Sequence, residues 1–193
     1  MAPSPTGDPH VGTAYIALFD YVLARQTGGQ FIMRIEDTDR ERFSEASAHM
    51  ILEAMRWLQI TPDEGPELGG PYGPYIQSER MASYREYVDT LVDAGHAYHC
   101  FCTKERLAAM RAQQEAAKQS VMYDRHCLCT YTDAQRRAMV RDGVPHVIRM
   151  SMPREGTSRW VDLVRGEVSF ENALIDDQVL LKSDGFPTYH LAN

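Results

Sequence analysis

Three prolines within seven residues constrain the N-terminal part of this chain more than any other feature does. Pro3, Pro5 and Pro9 each fix their own φ angle and bias the preceding residue away from the helical region. The segment that they span is therefore a stiff, extended loop, and the first helix can begin only after it. This order determines where the helix N-terminus lies.

A helix is predicted directly after the loop. Residues Tyr15 to Arg25 contain no helix breaker, and Gly28 and Gly29 are typical of a helix end. Its apolar residues recur at close to the helical period, so we expect them to pack against the rest of the fold. These residues are Tyr15, Leu18, Phe19, Val22 and Leu23.

His10 and Gly12 lie where the loop enters this helix. A helix N-terminus attracts phosphate oxygens, because its first backbone N–H groups have no partner within the helix. Gly12 can let a ligand approach the backbone closely, and His10 can donate a hydrogen bond to a charged oxygen. The alternative is a proline-rich turn that caps an ordinary helix, and an isolated His-x-Gly would favour that alternative.

A buried strand is predicted at Phe31 to Ile35. Strand, helix and strand in this order imply a parallel pair with a crossover helix, provided that a strand precedes Pro3. Only Met1 and Ala2 stand before the loop, so we expect the sequence to begin within a strand, either as a truncated piece or through a misplaced start.

Further elements are predicted along the chain. Helices are expected over Ser44–Leu58, Ser78–Ala94 and Thr103–Gln119, and another is expected to begin at a capping box, Thr132 to Gln135. Tyr84, Tyr87, Val88 and Leu91 are the residues through which the helix after Ser78 is expected to pack. The turn-rich stretch Thr61–Tyr75 is a candidate functional loop.

Three motifs resemble one known family. The segment APSPTGDPHVGTA, Ala2 to Ala14, is similar to the ATP-binding signature of class I aminoacyl-tRNA synthetases, in the form carried by glutamyl-tRNA synthetases. RIEDTDR (Arg34–Arg40) and KSDGFPTYHLAN (Lys182–Asn193) resemble two further motifs of that family, in the same order. The resemblance implies ATP-dependent attachment of L-glutamate to tRNA(Glu) through a glutamyl-adenylate. Catalysis of this kind rests on positioning and on stabilising developing phosphate charge.

The resemblance also assigns roles to individual residues. Those that it places on ATP, with Mg²⁺ on the phosphates, are Pro3, Thr6, His10 and Gly12, the last two of them catalytic. Those that it places in the glutamate pocket are Ser4, Glu36, Tyr189 and Asn193. Glu36 would contact the amino group of glutamate.

Glu36, Asp37 and Asp39 follow the predicted strand, and the carboxyl ends of parallel strands are where ligands bind in such sheets. A carboxylate there could bind an ammonium group or serve the ATP site. The alternative is helix capping and solvated charge, which we favour for Asp39. Arg40 and Arg42 could face the tRNA, although an exposed arginine is usually just solvated.

The charge distribution separates two regions of a chain whose net charge is −7. Residues 1–95 carry 7 Lys and Arg against 15 Asp and Glu, whereas residues 96–183 carry 13 against 11. The later region is therefore the one better able to lie against a phosphate backbone. The resemblance implies an α/β fold: a Rossmann-type parallel sheet over residues 1–95, an inserted α+β acceptor-stem-binding domain over 96–183, and the start of the second half of the catalytic domain at 184–193.

All four cysteines fall in two C-x-C pairs, a pattern that suits a tetrahedral Zn²⁺ site with a structural role. They are Cys100, Cys102, Cys127 and Cys129. The alternative is four free, half-buried thiols. Some members of the family that this chain resembles replace one cysteine with histidine or tyrosine. The substitutes that this sequence offers are Tyr123, His126 and His99.

The sequence favours a cytosolic monomer with no membrane partner. No stretch approaches the ~20 apolar residues of a membrane helix, and no export leader is recognisable. The family's first substrate-binding arginine would precede Met1, and its lysine-rich loop and anticodon-binding region would follow Asn193. We therefore expect the chain to be inactive alone.

Two rival functions stay open. One is the paralogue that glutamylates a modified base in tRNA, although Thr38 in RIEDTDR and the string PTYHLAN favour the true synthetase. The other is a non-catalytic, zinc-bearing RNA-binding module. The sequence leaves open whether the enzyme also charges tRNA(Gln).

Overall fold

The structure is a computed structural model that describes residues 1–39 and 41–192, and its backbone divides into two compact units, Met1–Ser83 (unit 1) and Tyr84–Asn193 (unit 2). Among the described residues, no helix is both long and apolar enough to cross a bilayer. Short 3₁₀ turns cover Gln77–Arg80 and Asn172–Leu174. The other elements are α1 (Val11–Thr27), α2 (Glu45–Trp57), α3 (Met81–Asp93), β1 (Ala97–Cys100), α4 (Lys104–Ala116), α5 (His126–Thr130), α6 (Asp133–Arg141), β2 (Val147–Met150), β3 (Thr157–Asp162), β4 (Gly166–Glu171), β5 (Val179–Leu181) and α7 (Tyr189–Ala192).

Unit 1 is built on short extended segments that run in parallel. The Arg34 N–H donates to the Met1 carbonyl over 3.1 Å, and the Glu36 N–H donates to the Pro3 carbonyl over 2.9 Å. This stagger of two residues on each side is the pattern of a parallel pair, and α1 is the crossover between the two segments. The backbone pairing supports the predicted order of extended segment, helix and extended segment, although neither segment forms a strand among the described residues.

The segment after α1 is also paired on its other side. Ile32 forms a parallel bridge with Glu64, and Ile35 forms a parallel bridge with Ile76. The predicted strand at Phe31–Ile35 is therefore the central one of several very short pairings. Its alternate side chains Phe31, Met33 and Ile35 are buried because they share a core with residues of α1 and α2.

α1 packs on the core through Ala17, Ala24 and the partly buried Tyr21, whose ring meets Phe31 edge-on, and most of its other large side chains stay exposed. Ala17 is completely buried and Ala24 is 8% exposed, in a core that they share with Phe31 and Met33. Two alanines let the helix backbone approach the parallel segments closely, and five large apolar side chains of α1 lie away from that contact. The expectation that those side chains pack inward is therefore wrong. They are between 41% and 62% exposed and comprise Tyr15, Leu18, Phe19, Val22 and Leu23.

The loop Thr61–Tyr75 is ordered around a buried carboxylate. Glu64 is 3% exposed and accepts a short hydrogen bond from the Tyr75 hydroxyl, which in turn accepts from the Tyr72 N–H over 3.1 Å. Gly70 passes over this pair with φ +143°, and a Cβ there would lie 2.6 Å from Glu64 Oε2 and closer still to the Tyr75 oxygen. Glycine is therefore required at this position for two independent reasons.

Gly70→Ala should destabilise unit 1 by about 2–4 kcal/mol, because it adds overlap with the Glu64–Tyr75 pair to an unfavourable φ. The matched control is Gly69→Ala. Gly69 has φ +70° and no atom within 4 Å of an added Cβ, so its replacement should cost only about 1–2 kcal/mol. Urea unfolding of the two variants measures both costs, and equal costs would show that the loop does not close over this pair.

Unit 2 contains an antiparallel sheet in the order β1-β2-β5 and a separate β3–β4 hairpin. Val88 and Val92 of α3 pack against Ala97, Ile148 and neighbouring apolar residues of the sheet. The helix predicted over Thr103–Gln119 is present as α4, which buries no residue. The capping box at Thr132 is confirmed by hydrogen bonds in both directions.

Some features of unit 2 differ from the sequence-based expectation. Tyr87 is 66% exposed and was wrongly expected to pack with the other apolar residues of α3. The short helices α5 and α7 were not predicted, since five and four residues are too few to show helical periodicity. The compact units divide inside α3, because Val88 and Val92 belong to the core of unit 2. The insertion over 96–183 stays a prediction.

Candidate nucleotide site and candidate metal centre

A cavity of about 390 Å³ lies over the proline-rich loop of unit 1. The loop forms most of its wall, and Ile16 and Ile51 add apolar surface from α1 and α2. The structure brings together in this wall the five loop residues for which the sequence predicted a role. They are Pro3, Ser4, Thr6, His10 and Gly12.

His10 is the N-cap of α1. Its backbone is extended, and its Nδ1 accepts a hydrogen bond from the Gly12 N–H over 3.0 Å. A neutral imidazole that accepts at Nδ1 carries its proton on Nε2, so Nε2 is a donor for a ligand oxygen. The cap thus fixes both the tautomer and the direction of the His10 ring.

Gly12 was predicted to let a ligand approach the backbone, but in the structure it makes room for the His10 ring. A Cβ at this position would lie 2.7 Å from His10 Cε1 and 2.9 Å from His10 Nδ1. The missing side chain makes room for the imidazole, and the Gly12 N–H is engaged by the cap. The contribution of Gly12 to the cavity therefore acts largely through the position of His10.

Glu36 follows the central segment of unit 1 and is held beside the loop by its backbone bond to Pro3. The residue Glu36 is 8% exposed, and its carboxylate oxygen Oε1 lies 3.2 Å from Arg34 NH2. Asp37 accepts from both the backbone N–H and the hydroxyl of Ser78, over 2.8 and 2.5 Å. Glu36 is thus a mostly buried carboxylate that pairs with Arg34 and is not among the described residues that line the cavity, whereas Asp37 holds a turn. Sequence reasoning missed Arg34, whose adjacency to Glu36 follows from the shared face of residues two apart in a strand.

The remaining residues of the RIEDTDR and KSDGFPTYHLAN motifs are less informative. Asp39 and Arg42 form an exposed ion pair with Nε to Oδ2 at 2.8 Å, as expected for solvated charge. Tyr189 begins α7 in unit 2 and is 70% exposed. Arg40 and Asn193 lie outside the described residues, so their predicted roles stay predictions.

Three of the four cysteines form a cluster in unit 2. The sulfur atoms of Cys100, Cys102 and Cys127 all lie within 4.8 Å of one another. Cys102 Sγ and Cys127 Sγ are 3.5 Å apart. Three thiols at this spacing are suited to one tetrahedral metal ion.

Tyr123, and not Cys129, is the fourth group of the cluster. The Tyr123 hydroxyl lies 3.3 Å from Cys100 Sγ and 3.2 Å from Cys102 Sγ, and it accepts from the Cys127 N–H over 3.1 Å. Cys129 is exposed and does not belong to the cluster. The prediction of four sulfur ligands is therefore wrong for Cys129.

The reason is that the two C-x-C pairs lie in different types of secondary structure, which direct residues two apart differently. Cys100 ends β1 and Cys102 follows it in extended chain, where residues two apart point to the same side. Cys127 and Cys129 lie in α5, where residues two apart are turned by about 200° around the axis. Only one thiol of the second pair can therefore face the cluster.

Two other predicted substitutes do not reach the thiols. His99 lies on the opposite face of β1 from Tyr98 and Cys100, and its ring packs 5.0 Å from that of His146. His126 is engaged at the surface, with Nδ1 3.4 Å from Thr130 Oγ1. Tyr123 is the substitute that the structure supports.

The electrostatics of the cluster favour a thiolate. Hydrogen bonding from Cys127, together with that from Tyr123, holds the pKa of Cys100 well below its usual range. The same interaction with Cys100 raises the pKa of Cys127, and burial raises the pKa of Tyr123. Arg106 NH1 lies 3.5 Å from Cys102 Sγ and adds positive charge. A thiolate is the form that binds a metal ion.

A buried carboxylate, that of Asp177, organises the polar side chains that pack beside Tyr123 of the cluster. Asp177 is completely buried and accepts from the Tyr98 hydroxyl and from Arg125 NH2, each over 2.7 Å. Arg149 donates to the Asp177 carbonyl over 2.9 Å and lies 4.1 Å from the ring centroid of Tyr123. This network fixes Tyr123. The sequence showed Asp177 and Arg149 only as ordinary charged residues.

Comparison with known proteins gives consistent matches over the whole chain. The family described as tRNA synthetases class I (E and Q), catalytic domain, matches residues 1–193. The glutamate–tRNA ligases of Fusobacterium nucleatum and Pseudomonas aeruginosa are 54% and 55% identical to it, and the matches cover 100% of this chain and 38% and 39% of the relatives.

Solved structures give the same result. A glutamate tRNA ligase from Elizabethkingia meningosepticum, determined in complex with its amino acid, matches with a TM-score of 0.91 and 40% identity over 100% of this chain and 39% of its own. The glutamate–tRNA synthetase of Elizabethkingia anophelis matches with a TM-score of 0.92, 40% identity and the same cover of this chain, against 40% of its own. The chain thus spans about two fifths of the length of these relatives.

Cys129 should be the first cysteine to react when the metal-free chain is treated with iodoacetamide at neutral pH. It is exposed, whereas Cys100 and Cys127 are each 1% exposed and can react only when the cluster opens. Peptide mass spectrometry after short labelling times gives the order. Equal early labelling of Cys127 and Cys129 would contradict the inward position of Cys127 on α5.

Proposed function

Because the chain belongs to the class I tRNA synthetases (E and Q), we propose that it is part of a glutamate–tRNA ligase and carries that enzyme's ATP site. The observation that carries the proposal is the cavity of unit 1, whose wall contains His10 and Ser4 and beside which Glu36 is held by a backbone bond. The relatives named above favour a ligase over the base-modifying paralogue and over a non-catalytic RNA-binding module. The reaction joins L-glutamate to tRNA(Glu) in the cytosol.

His10 is proposed to stabilise charge on the phosphates. The carboxylate of glutamate attacks the α-phosphorus of ATP, and pyrophosphate leaves. Nε2 of His10, fixed by the cap on α1, donates to a phosphate oxygen as negative charge develops there. A donor that is already oriented has no reorganisation cost in the transition state.

The other loop residues and Glu36 are proposed to hold the substrates. Pro3 and Thr6 contact ATP, while Ser4 and Glu36 face glutamate, with the Glu36 carboxylate opposite the ammonium group. Among the described residues that line the cavity, Asp8 is the one carboxylate. Mg²⁺ would therefore be held mainly by the phosphates of ATP.

The two units are proposed to correspond to parts of a synthetase catalytic domain. The parallel segments of unit 1 support its assignment to the first half of a Rossmann-type sheet. The α+β composition of unit 2 supports an acceptor-stem-binding insertion over residues 96–183. Tyr189 and Asn193 are proposed to complete the glutamate pocket.

Zn²⁺ fits the thiol cluster and is proposed as a structural ion. It would be held by Cys100, Cys102, Cys127 and the Tyr123 oxygen. Four protein ligands leave no open coordination position, so the ion would fix the fold of unit 2 and take no part in the reaction. The low pKa of Cys100 supports metal binding at neutral pH.

Cys129→Ser should leave the zinc content at about one ion per chain, whereas Cys127→Ser should lower it to well below one. The two variants make the same chemical change two residues apart on α5, and only one of them removes a cluster thiol. Elemental analysis after zinc-replete expression measures the difference. Loss of zinc in Cys129→Ser would restore Cys129 as a ligand and exclude Tyr123.

His10→Ala in the longer protein that contains this chain should lower kcat for glutamate-dependent pyrophosphate exchange about a hundredfold or more, with little change in the glutamate KM. The loss of one donor to transition-state charge costs ~2.7–4 kcal/mol. His10→Asn is the control, because asparagine is a good N-cap and keeps α1 stable without placing an imidazole on the phosphates.

The two variants should therefore be equally impaired in exchange, and only His10→Ala should lose about 1 kcal/mol of stability. The exchange assay should contain tRNA. A raised glutamate KM with an unchanged kcat in His10→Ala would contradict the phosphate role.

A further inference from the structure

Arg149 of β2 is a buried cation that no carboxylate neutralises. The residue is 6% exposed, and its NH1 group donates to the backbone carbonyl of Asp177 over 2.9 Å. The carboxylate of Asp177 is used elsewhere, because it pairs with Arg125 and lies 3.9 Å from Arg154. In the part of the chain that the structure describes, no carboxylate forms an ion pair with Arg149. A buried charge without an ionic partner is strongly disfavoured, so a negative group of another kind is expected beside it.

The pairing of β1 with β2 places Arg149 on the face of the sheet that carries the thiol cluster. The antiparallel register sets Arg149 opposite Tyr98 and Val147 opposite Cys100. Directly opposite residues share a face, and so do residues two apart in a strand, so Arg149, Tyr98 and Cys100 point to one side. The guanidinium carbon lies 4.1 Å from the ring centroid of Tyr123, whose hydroxyl lies 3.3 Å from Cys100 Sγ. The charge of Arg149 is thus separated from the sulfur atoms by a single aromatic ring.

Asp176 is the acid that shares a cavity with Arg149. The two residues line a space of about 30 Å³, which has room for about one water molecule. Asp176 Oδ1 accepts from the Tyr123 N–H over 2.9 Å. Because Asp176 and Arg149 form no ion pair, any contact between them passes through such a water molecule and leaves the guanidinium charge without a direct partner.

Arg106 also lies near the cluster, but its charge is already neutralised. Its NH1 group is 3.5 Å from Cys102 Sγ, and its NH2 group is 2.5 Å from Asp124 Oδ2. Its side chain is 32% exposed, so water screens the charge that remains. Of the two arginines, Arg149 is therefore the one that has neither a carboxylate nor bulk water to compensate it.

A metal ion on the thiol cluster would supply the missing negative charge. The three sulfur atoms belong to Cys100, Cys102 and Cys127, and a thiolate is the form that binds a metal ion. Three thiolates around one divalent ion leave at least one net negative charge on the centre. In surroundings of low polarity such a centre needs a positive group beside it, and the attraction between the two is much stronger than in water.

We infer that Arg149 is the buried counter-ion of the metal centre, whose net negative charge it compensates. The inference rests on the proposed Zn²⁺ site and gives Arg149 a part in metal affinity. Arg149 is not a ligand, and it acts through its charge beside the ligands. The loss of an outer-shell group of this kind typically lowers metal affinity about 10–100-fold.

The test is the Zn²⁺ affinity of this 193-residue chain, measured by competition with a chromophoric chelator. Arg149→Met removes the charge but keeps a long, unbranched side chain, and it should weaken Zn²⁺ binding about 10–100-fold. Arg149→Lys keeps a positive charge at the same position, and its affinity should lie close to that of the parent. The matched control is Arg106→Met, which removes an exposed guanidinium that is paired with Asp124. The control should change the affinity less than about fivefold.

The stability of the metal-free chain separates a counter-ion from a merely structural residue. Without its metal centre a counter-ion is an uncompensated buried charge, so Arg149→Met should leave the metal-free unfolding temperature unchanged or raise it. The rise in unfolding temperature on addition of Zn²⁺ should be smaller than in the parent. A lower metal-free unfolding temperature with an undiminished rise on Zn²⁺ binding would show a structural role and overturn the inference.

The affinities also separate the inference from the proposals on which it rests. Equal Zn²⁺ affinities of Arg149→Met and Arg106→Met would overturn it and leave the zinc site standing. Zn²⁺ binding as weak in Arg149→Lys as in Arg149→Met would show that charge is not what Arg149 contributes, and would also overturn it. If the parent chain bound no Zn²⁺, the proposed zinc site would fall together with the inference, and the proposed ATP site of unit 1 would be unaffected.

Discussion

Two backbone hydrogen bonds, from Arg34 to Met1 and from Glu36 to Pro3, hold the candidate site of unit 1 together. They fix the segment before the proline-rich loop beside the segment that ends in Glu36. The prolines then restrict the backbone conformations by which the loop connects to α1. The cavity over the loop, the cap made by His10 and the position of Glu36 all follow from this parallel pairing. Backbone bonds of this kind do not depend on side-chain identity, so the side chains of the loop are available for ligands.

Unit 2 depends on a different constraint, which is the burial of polar groups behind the thiol cluster. Asp177 is completely buried, and its partners Tyr98 and Arg125 satisfy its carboxylate while Arg149 covers Tyr123. An unpaired buried carboxylate would cost several kcal/mol, so an arrangement that keeps Asp177 paired is strongly favoured. It therefore orients Tyr123 towards the sulfur atoms before any metal ion binds.

The sequence was sufficient where the signal is local. The prolines, the glycines after α1 and the capping box at Thr132 each act within a few residues, and the elements that they predict are present. The sequence was insufficient where the buried face of a helix had to be predicted. The same apolar pattern allows α1 to pack through Phe19 or through Ala17, and the closer approach of the alanine side decides. Likewise, the sequence placed Cys129 with the other cysteines because the five-residue helix α5, which turns it away from them, cannot be recognised from its sequence.

The central claim is that the proline-rich loop and the start of α1 form a nucleotide site. Its most direct test is the amide NMR spectrum of the isotopically labelled chain during titration with ATP and Mg²⁺. The account predicts that the largest shifts occur at Ser4, Thr6, Gly7 and Gly12, and that the His10 ring resonances move with them. Saturable shifts confined to unit 2, with these loop signals unmoved, would contradict the account.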